Sequence, residues 1–147
     1  MEKKIIMCYT NDGGENMNSQ ELVEYWIESS DRDYESMIKN YESQQYTWAL
    51  FIGHLVLEKL LKGIYAKVNA DSPYPPKIHN LNIIAEKCGL KLDEKTTKIL
   101  FTCNSFNISA RYEDYKNEFY ERCTKEYTKE QIENIKEVRE WLRTQLM

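Results

Sequence analysis

Six side chains in this sequence have the types and spacings that chemistry needs. They are His54, Glu58 and Lys62, placed four residues apart, then His79, then the adjacent pair Arg111 and Tyr112. Glu58 ahead of Lys62 is the favourable order for a helical ion pair, worth about 0.2–0.5 kcal/mol when exposed. The same two groups could instead meet a phosphate or a partner. His54 shares their face, either as a helix-surface or interface histidine or as a base or ligand. These three residues form a polar strip on an otherwise apolar helix, and the cost of burying unpaired charge predicts that the strip faces water or a polar cleft.

His79 stands directly before Asn80 and after a proline-rich loop. It either organises the following helix start through backbone hydrogen bonds or sits at the mouth of a cleft near Arg111. Arg111 offers a planar fork that suits carboxylate or phosphate, and Tyr112 offers a face on which a base can stack. The alternative for Arg111 is an internal ion pair that pins the segment from 111 to 127. Tyr112, Tyr115, Phe119, Tyr120 and Tyr127 cluster there among charges, a pattern that suits packing onto the body of the protein, an interface or base stacking.

The elements that must carry these groups are helical. Leu22, Val23, Trp26, Ile27, Ser30, Tyr34, Met37, Ile38 and Tyr41 step by three and four, with Asn18 and Glu21 placed as a capping box. Tyr46 to Val68 forms a second helix, apolar around so much of its circumference that it must be central or at an interface. Gly53 in its middle predicts a close helix crossing. Pro73, Pro75 and Pro76 force a surface loop. Asn80 caps a short third helix running through Cys88, and Gly89 stops it in a left-handed cap. Asp93 starts a fourth helix bearing Ile99, Leu100, Cys103, Asn107 and Ala110. A fifth is expected to open on Thr128-Lys129-Glu130-Gln131, read as a capping box, with Ile132, Ile135, Val138, Leu142 and Leu146 as its stripe. The segment from Arg111 to Tyr127 has no structure fixed by its pattern. No strand-period segment appears outside residues 5–9. The expected fold is all-α, an antiparallel four- to five-helix up-and-down bundle over residues 19–147. Residues 1–18 are expected to be an N-terminal extension, as loop or disordered chain.

Composition narrows the function classes. The 147 residues carry 20 basic and 24 acidic side chains, a net charge of -4, so a broad electropositive coat for nucleic acid is excluded while one local basic cleft is not. Cys8, Cys88, Cys103 and Cys123 lack any close paired spacing and have only His54 and His79 to help them, which argues against a closed zinc site. Without a recognisable signal segment the four cysteines read as small hydrophobes in a reducing compartment. No apolar run reaches the ~18 residues of a membrane span. A cytoplasmic protein with no membrane association, no cofactor and no metal is expected.

Three blocks carry a resemblance. They are Trp48-Ala49-Leu50-Phe51-Ile52-Gly53-His54-Leu55-Val56-Leu57-Glu58-Lys59-Leu60-Leu61-Lys62-Gly63, then Ile78-His79-Asn80-Leu81-Asn82-Ile83-Ile84, then Asn107-Ile108-Ser109-Ala110-Arg111-Tyr112-Glu113-Asp114-Tyr115. In this order and spacing, over residues 19 to 146, they resemble the HEPN domain family of small helical bundles. That family is associated with RNA cleavage in toxin–antitoxin and defence systems, with nucleotide or RNA binding, and with pairing to small nucleotidyltransferases. Its cleaving members follow an Arg, four to six residues later, with a His that a dimer brings into a cleft. This sequence departs from the pattern, because no histidine follows His79.

The resemblance therefore implies an HEPN-like interaction module without the nuclease motif. It would be a homodimer binding a nucleotide, RNA or a nucleotidyltransferase partner through Lys59, Lys62, His79, Arg111 and Tyr112. One alternative is a metal-independent ribonuclease of altered site. There Arg111 would stabilise the pentavalent phosphate, with His54, His79 or a carboxylate from either protomer as base. A plain structural helical subunit is the other alternative.

Overall fold

A computed structural model describes residues 17–147, so the expectations for residues 1–16, including the short strand at 5–9, lie outside the described residues. Six helices make up the described chain: α1 (Ser19–Glu42), α2 (Tyr46–Val68), α3 (Leu81–Lys87), α4 (Glu94–Arg111), α5 (Glu113–Arg122) and α6 (Lys125–Leu146). The four long ones, α1, α2, α4 and α6, run up, down, up, down, and the two short ones bridge them.

The directions follow from individual contacts. Ser19 Oγ donates to the Ala66 carbonyl at 2.7 Å and Ser30 Oγ to that of Val56 at 2.9 Å, so numbering rises on α1 as it falls on α2. Gly53 faces Ile135 while Gly63 faces Leu146, so α2 and α6 point the same way. The expected all-α bundle is what the chain forms.

α2 is the central helix. Leu50, Leu57, Leu60, Leu61 and Ile64 are buried among Ile99, Leu100, Cys103 and Phe106 of α4 and Ile132, Ile135, Val138 and Leu142 of α6. Each such aliphatic side chain contributes about 1.5–3 kcal/mol when fully buried. A smaller cluster of Leu22, Val23, Trp26 and Ala66 closes the end of the bundle, with Met17 and Tyr74 packed over it.

Local chemistry sets most of the helix ends. The Glu21 N–H donates to Asn18 Oδ1 at 2.8 Å while Glu21 Oε1 accepts from the Asn18 N–H at 3.1 Å, completing the expected capping box. Asn80 and Asp93 accept from Ile83 and Thr96 to start α3 and α4. α3 ends as expected in a left-handed residue, Gly89 at φ 73°, with the Gly89 N–H donating to Glu86 O and that of Leu90 to Ala85 O.

One expectation changes, and one open stretch acquires a structure. The last helix does not open at Thr128. Its cap is Thr124, whose side chain accepts from the Tyr127 N–H, and Thr128 and Gln131 lie buried one turn further in. Thr124 has Tyr127, not Glu or Gln, at the reciprocal position, so only the cap's own bond forms and the sequence carries no capping-box signature there. The Arg111–Tyr127 stretch, in turn, contains a helix, α5. Phe119 anchors it, stacked on Phe106 of α4 at a centroid separation of 5.8 Å.

Cys88, Cys103 and Cys123 are buried free thiols. Burial pushes the first two up to about 12 and the third to about 11, so they act as small apolar side chains. No helix among the described residues is long and apolar enough to cross a membrane.

Candidate functional site

The polar strip on α2 is not at the surface. His54 is 1% exposed, Glu58 5% and Lys62 2%. The expectations of a surface or interface histidine and a solvated ion pair are therefore corrected. Strip, loop and α4 pack so closely that the groups satisfy one another in place of water, as buried charge requires.

Glu58 is the hub. Lys62 Nζ donates to its Oε2 at 3.1 Å and His79 Nδ1 to its Oε1 at 3.0 Å. His79 reaches it from the loop before α3, held by residues on both sides. Its own carbonyl accepts from His54 Nε2 at 2.9 Å, and its neighbour Asn80 caps α3. Lys62 also lies 5.6 Å from the centre of the Trp26 ring on α1, which accommodates the rest of its charge.

The tautomers follow from this geometry. His54 spends its Nε2 proton on a carbonyl, so its Nδ1 is an acceptor, and Asn107 Nδ2 of α4 stands 3.4 Å away to donate to it. Burial drives the His54 pKa below 6.5, against the opposing pull of Glu58, so the ring is neutral. His79 donates through Nδ1, which leaves Nε2 unprotonated in the neutral ring. The His79 side chain is 57% exposed, and Nε2 has no bonding partner among the described residues.

Asn107 was legible as part of the α4 stripe but not as a member of this network. The signal was there: an amide within Ile99, Leu100, Cys103 and Ala110 must find a buried partner, and the polar strip of α2 supplies one in His54. Asn104, one turn earlier, was missed outright. Its Oδ1 accepts from the Leu81 N–H at 2.8 Å and its Nδ2 donates to Asn82 Oδ1 at 3.0 Å, fixing the His79 loop onto α4.

The remaining sequence candidates lie elsewhere. Lys59 pairs with Asp33 of α1 at 2.6 Å. Arg111 is exposed on the last turn of α4, pairs with no carboxylate among the described residues, and sits with Cζ 5.5 Å from the centre of the Tyr112 ring. Of the aromatic cluster, Phe119 is buried while Tyr112, Tyr115 and Tyr120 are 51–71% exposed. Beside the α4–α5 junction is a cleft of about 360 Å³, walled by Trp48 and Tyr120 and lined also by Thr47, Glu113, Lys116 and Asn117. None of His54, Glu58, Lys62, His79 and Arg111 lines it, so the strip and the cleft are separate features. Among the described residues no three His, Cys, Asp or Glu side chains are grouped to hold a metal ion.

A family model described as HEPN domain matches residues 23–145, which contain α2 to α5 entire, nearly all of α1 and α6, and every group named above. No curated protein and no solved structure matches the chain.

Proposed function

The chain belongs to the HEPN domain family, and on that footing we propose that it is a dimeric binding module that takes a phosphate-bearing ligand, RNA or a nucleotide, at the end of α4. The observation that carries this reading is Arg111. It is an exposed guanidinium on a helix end, without a carboxylate partner among the described residues and backed by the ring of Tyr112. A structural arginine would be expected to spend its fork on an acid. A free fork beside stacking aromatics is how a phosphate and its base are held. Trp48 and Tyr120 extend the aromatic surface across the adjoining cleft.

Dimerisation is supported by α4 itself. Phe101 (73% exposed) and Ile108 (49% exposed) lie two turns apart on its outer face, where a second copy would cover them. The family's association with nucleotidyltransferases makes such an enzyme a candidate partner, and a toxin–antitoxin or defence setting the natural context. The unpaired, buried thiols fit a reducing cytoplasm.

Wild-type protein and Arg111→Ala should be titrated into fluorescently labelled single-stranded RNA and into labelled ATP, with the protein's mass in solution measured alongside. Wild type is expected to bind as a dimer and the variant to bind at least tenfold more weakly. Equal binding by the two would remove Arg111, and with it the reading.

A further inference from the structure

We propose that the apolar run Ile5-Ile6-Met7-Cys8-Tyr9 folds back onto the bundle and docks in the groove between α1 and α6 lined by Ile27, Leu146 and Met147. The inference is independent of the binding reading above. It concerns the end of the bundle where α1 begins and α2 and α6 finish. The core cluster there is small, formed by Leu22, Val23, Trp26 and Ala66, and the apolar side chains packed around it, Ile27 and Leu146 among them, are half-buried. Lys67 Nζ donates to the carbonyls of Gln145 and Met147, which brings the ends of α2 and α6 together. Val68 and Met147 at those ends are 55% and 90% exposed. A satellite cluster of this kind is completed by a segment lying over it.

The size of the groove selects its occupant. It holds about 100 Å³ and is lined by Ile27, Arg143, Leu146 and Met147, whereas a small-molecule site has roughly 300–1,000 Å³. It therefore takes one or two aliphatic side chains of a peptide segment. The chain supplies such a segment at the right place. Met17 packs on the same cluster as Ile27 and Leu146, and its N–H donates to Tyr74 Oη at 2.6 Å, so the residues before it set out from the cluster that floors the groove. Within residues 1–16 the one apolar run is 5–9.

Reach and charge both agree. Residues 10–16 span up to about 25 Å when extended, and Ile27 lies eight residues beyond Ser19 on α1, about 12 Å by helical rise. The run must double back over α1 to arrive there, and Asn11-Asp12-Gly13-Gly14 is a composition that reverses a chain. Lys3 and Lys4, directly ahead of the run, then meet Glu24 and Glu28, exposed acids on the turns of α1 around Ile27 that pair with no lysine or arginine among the described residues. Exposed ion pairs contribute little energy, so these charges orient the run and apolar burial holds it. A link this short keeps the run at an effective concentration on the order of millimolar, so a weak intrinsic contact suffices.

Cys8 is a built-in reporter, because the other three thiols, Cys88, Cys103 and Cys123, are buried in the bundle. Its rate of modification by Ellman's reagent should be measured in the full chain, in Ile5→Ser/Ile6→Ser and in Ile27→Ser, with a thermal melt of each. Cys8 is expected to react at least about fivefold more slowly in wild type than in either variant. Under oxidised glutathione, Ile27→Cys should form a disulfide with Cys8 within one chain. Glu118→Cys, on α5 beside the start of α6 and so at the opposite end of the bundle, should not. Equal, fast modification in all three proteins overturns the proposal. So does protection that is lost in the segment variant but kept in Ile27→Ser, which places the run on another surface. Protection that disappears on dilution, with disulfides joining two chains, gives the groove to a second copy's segment and also overturns it. Should Ile27→Ser lower the melting temperature, the segment variant, which leaves the bundle untouched, and the disulfide pair decide the matter.

Discussion

Gly53 of α2 faces Ile135 of α6 so closely that a Cβ at position 53 would stand 2.6 Å from Ile135 Cδ1, with Met37 Sδ at 3.1 Å. The glycine is what lets the two parallel helices approach, and it makes the contact a tunable one. Gly53→Ala gains about 1 kcal/mol of helix propensity and meets an overpacking cost of about 1–3 kcal/mol. The net expectation is a loss of roughly 1 kcal/mol in urea denaturation. In an Ile135→Val background, where the offending methyl is gone, the same substitution should become neutral or stabilising. Additive effects of the two changes would show that Ile135 is not what holds position 53 to glycine.

Thr124 and Thr128 should respond oppositely to loss of the hydroxyl. Thr124→Ala removes the cap of α6 and is expected to cost about 1 kcal/mol. The Thr128 hydroxyl is buried with no hydrogen-bond partner among the described residues. Thr128→Val keeps its shape and removes an unsatisfied polar atom, so it should hold or raise the melting temperature. A loss of about 1 kcal/mol at Thr128 instead would return the helix start to that residue.

The two helix ends at Gly89 and Gln44 show what a sequence reveals and what it does not. Both close with the same pair of backbone bonds and a left-handed residue, Gly89 at φ 73° and Gln44 at φ 66°. Glycine announces that conformation and glutamine does not, so only the first was legible. The site divides in the same way. Periodicity placed His54, Glu58 and Lys62 on one face, but a face is not a depth. Whether the strip was wet depended on the His79 loop and Asn104 closing over it, contacts made between residues 21 to 25 positions apart in sequence. The bundle itself was readable because apolar spacing acts within each helix, whereas the burial of the strip is a property of three elements together.

Gln44 offers a direct check on that comparison. A non-glycine residue held left-handed costs about 1 kcal/mol or more, and Gln44 lies in the turn between α1 and α2, outside the core. Gln44→Gly is expected to stabilise the protein by up to about 1 kcal/mol. Gln44→Val should destabilise it, because a β-branched residue tolerates that conformation worse. Equal stability of all three proteins in a thermal melt would mean that the turn relaxes to another geometry.

His54 gives the fold a pH dependence whose sign can be worked out. Burial, the dominant effect, holds its pKa below 6.5 in the folded protein, with Glu58 and the hydrogen bond to the His79 carbonyl opposing the shift and electrostatic repulsion from the His79 ring and Lys62 adding to it. The unfolded chain therefore binds the proton more readily, and stability rises with pH across that window. The contribution is complete above about pH 6.5 and is lost as pH falls towards the folded-state value. Melting temperature should thus drop between pH 7 and pH 5. His54→Gln, whose amide can still donate to the His79 carbonyl, should flatten that drop even if it lowers the plateau. An unchanged slope in the variant would assign the acid sensitivity to other groups.

The Glu58–Lys62 pair should prove far more costly to halve than to remove. Lys62→Met deletes the ammonium and leaves a buried carboxylate with the half-exposed His79 as its remaining hydrogen-bonded partner. Breaking a buried pair in this way is expected to cost about 3–5 kcal/mol. Glu58→Gln/Lys62→Met removes both charges, keeps an oxygen to accept from His79 Nδ1, and places a thioether against Trp26 where the ammonium had been. Its cost should be smaller than that of Lys62→Met alone, giving a coupling of up to about 3 kcal/mol between the two positions. Urea midpoints of the two single variants, the double variant and wild type supply the cycle. Simple additivity would mean that water reaches the pair and that the strip is wetter than its burial indicates.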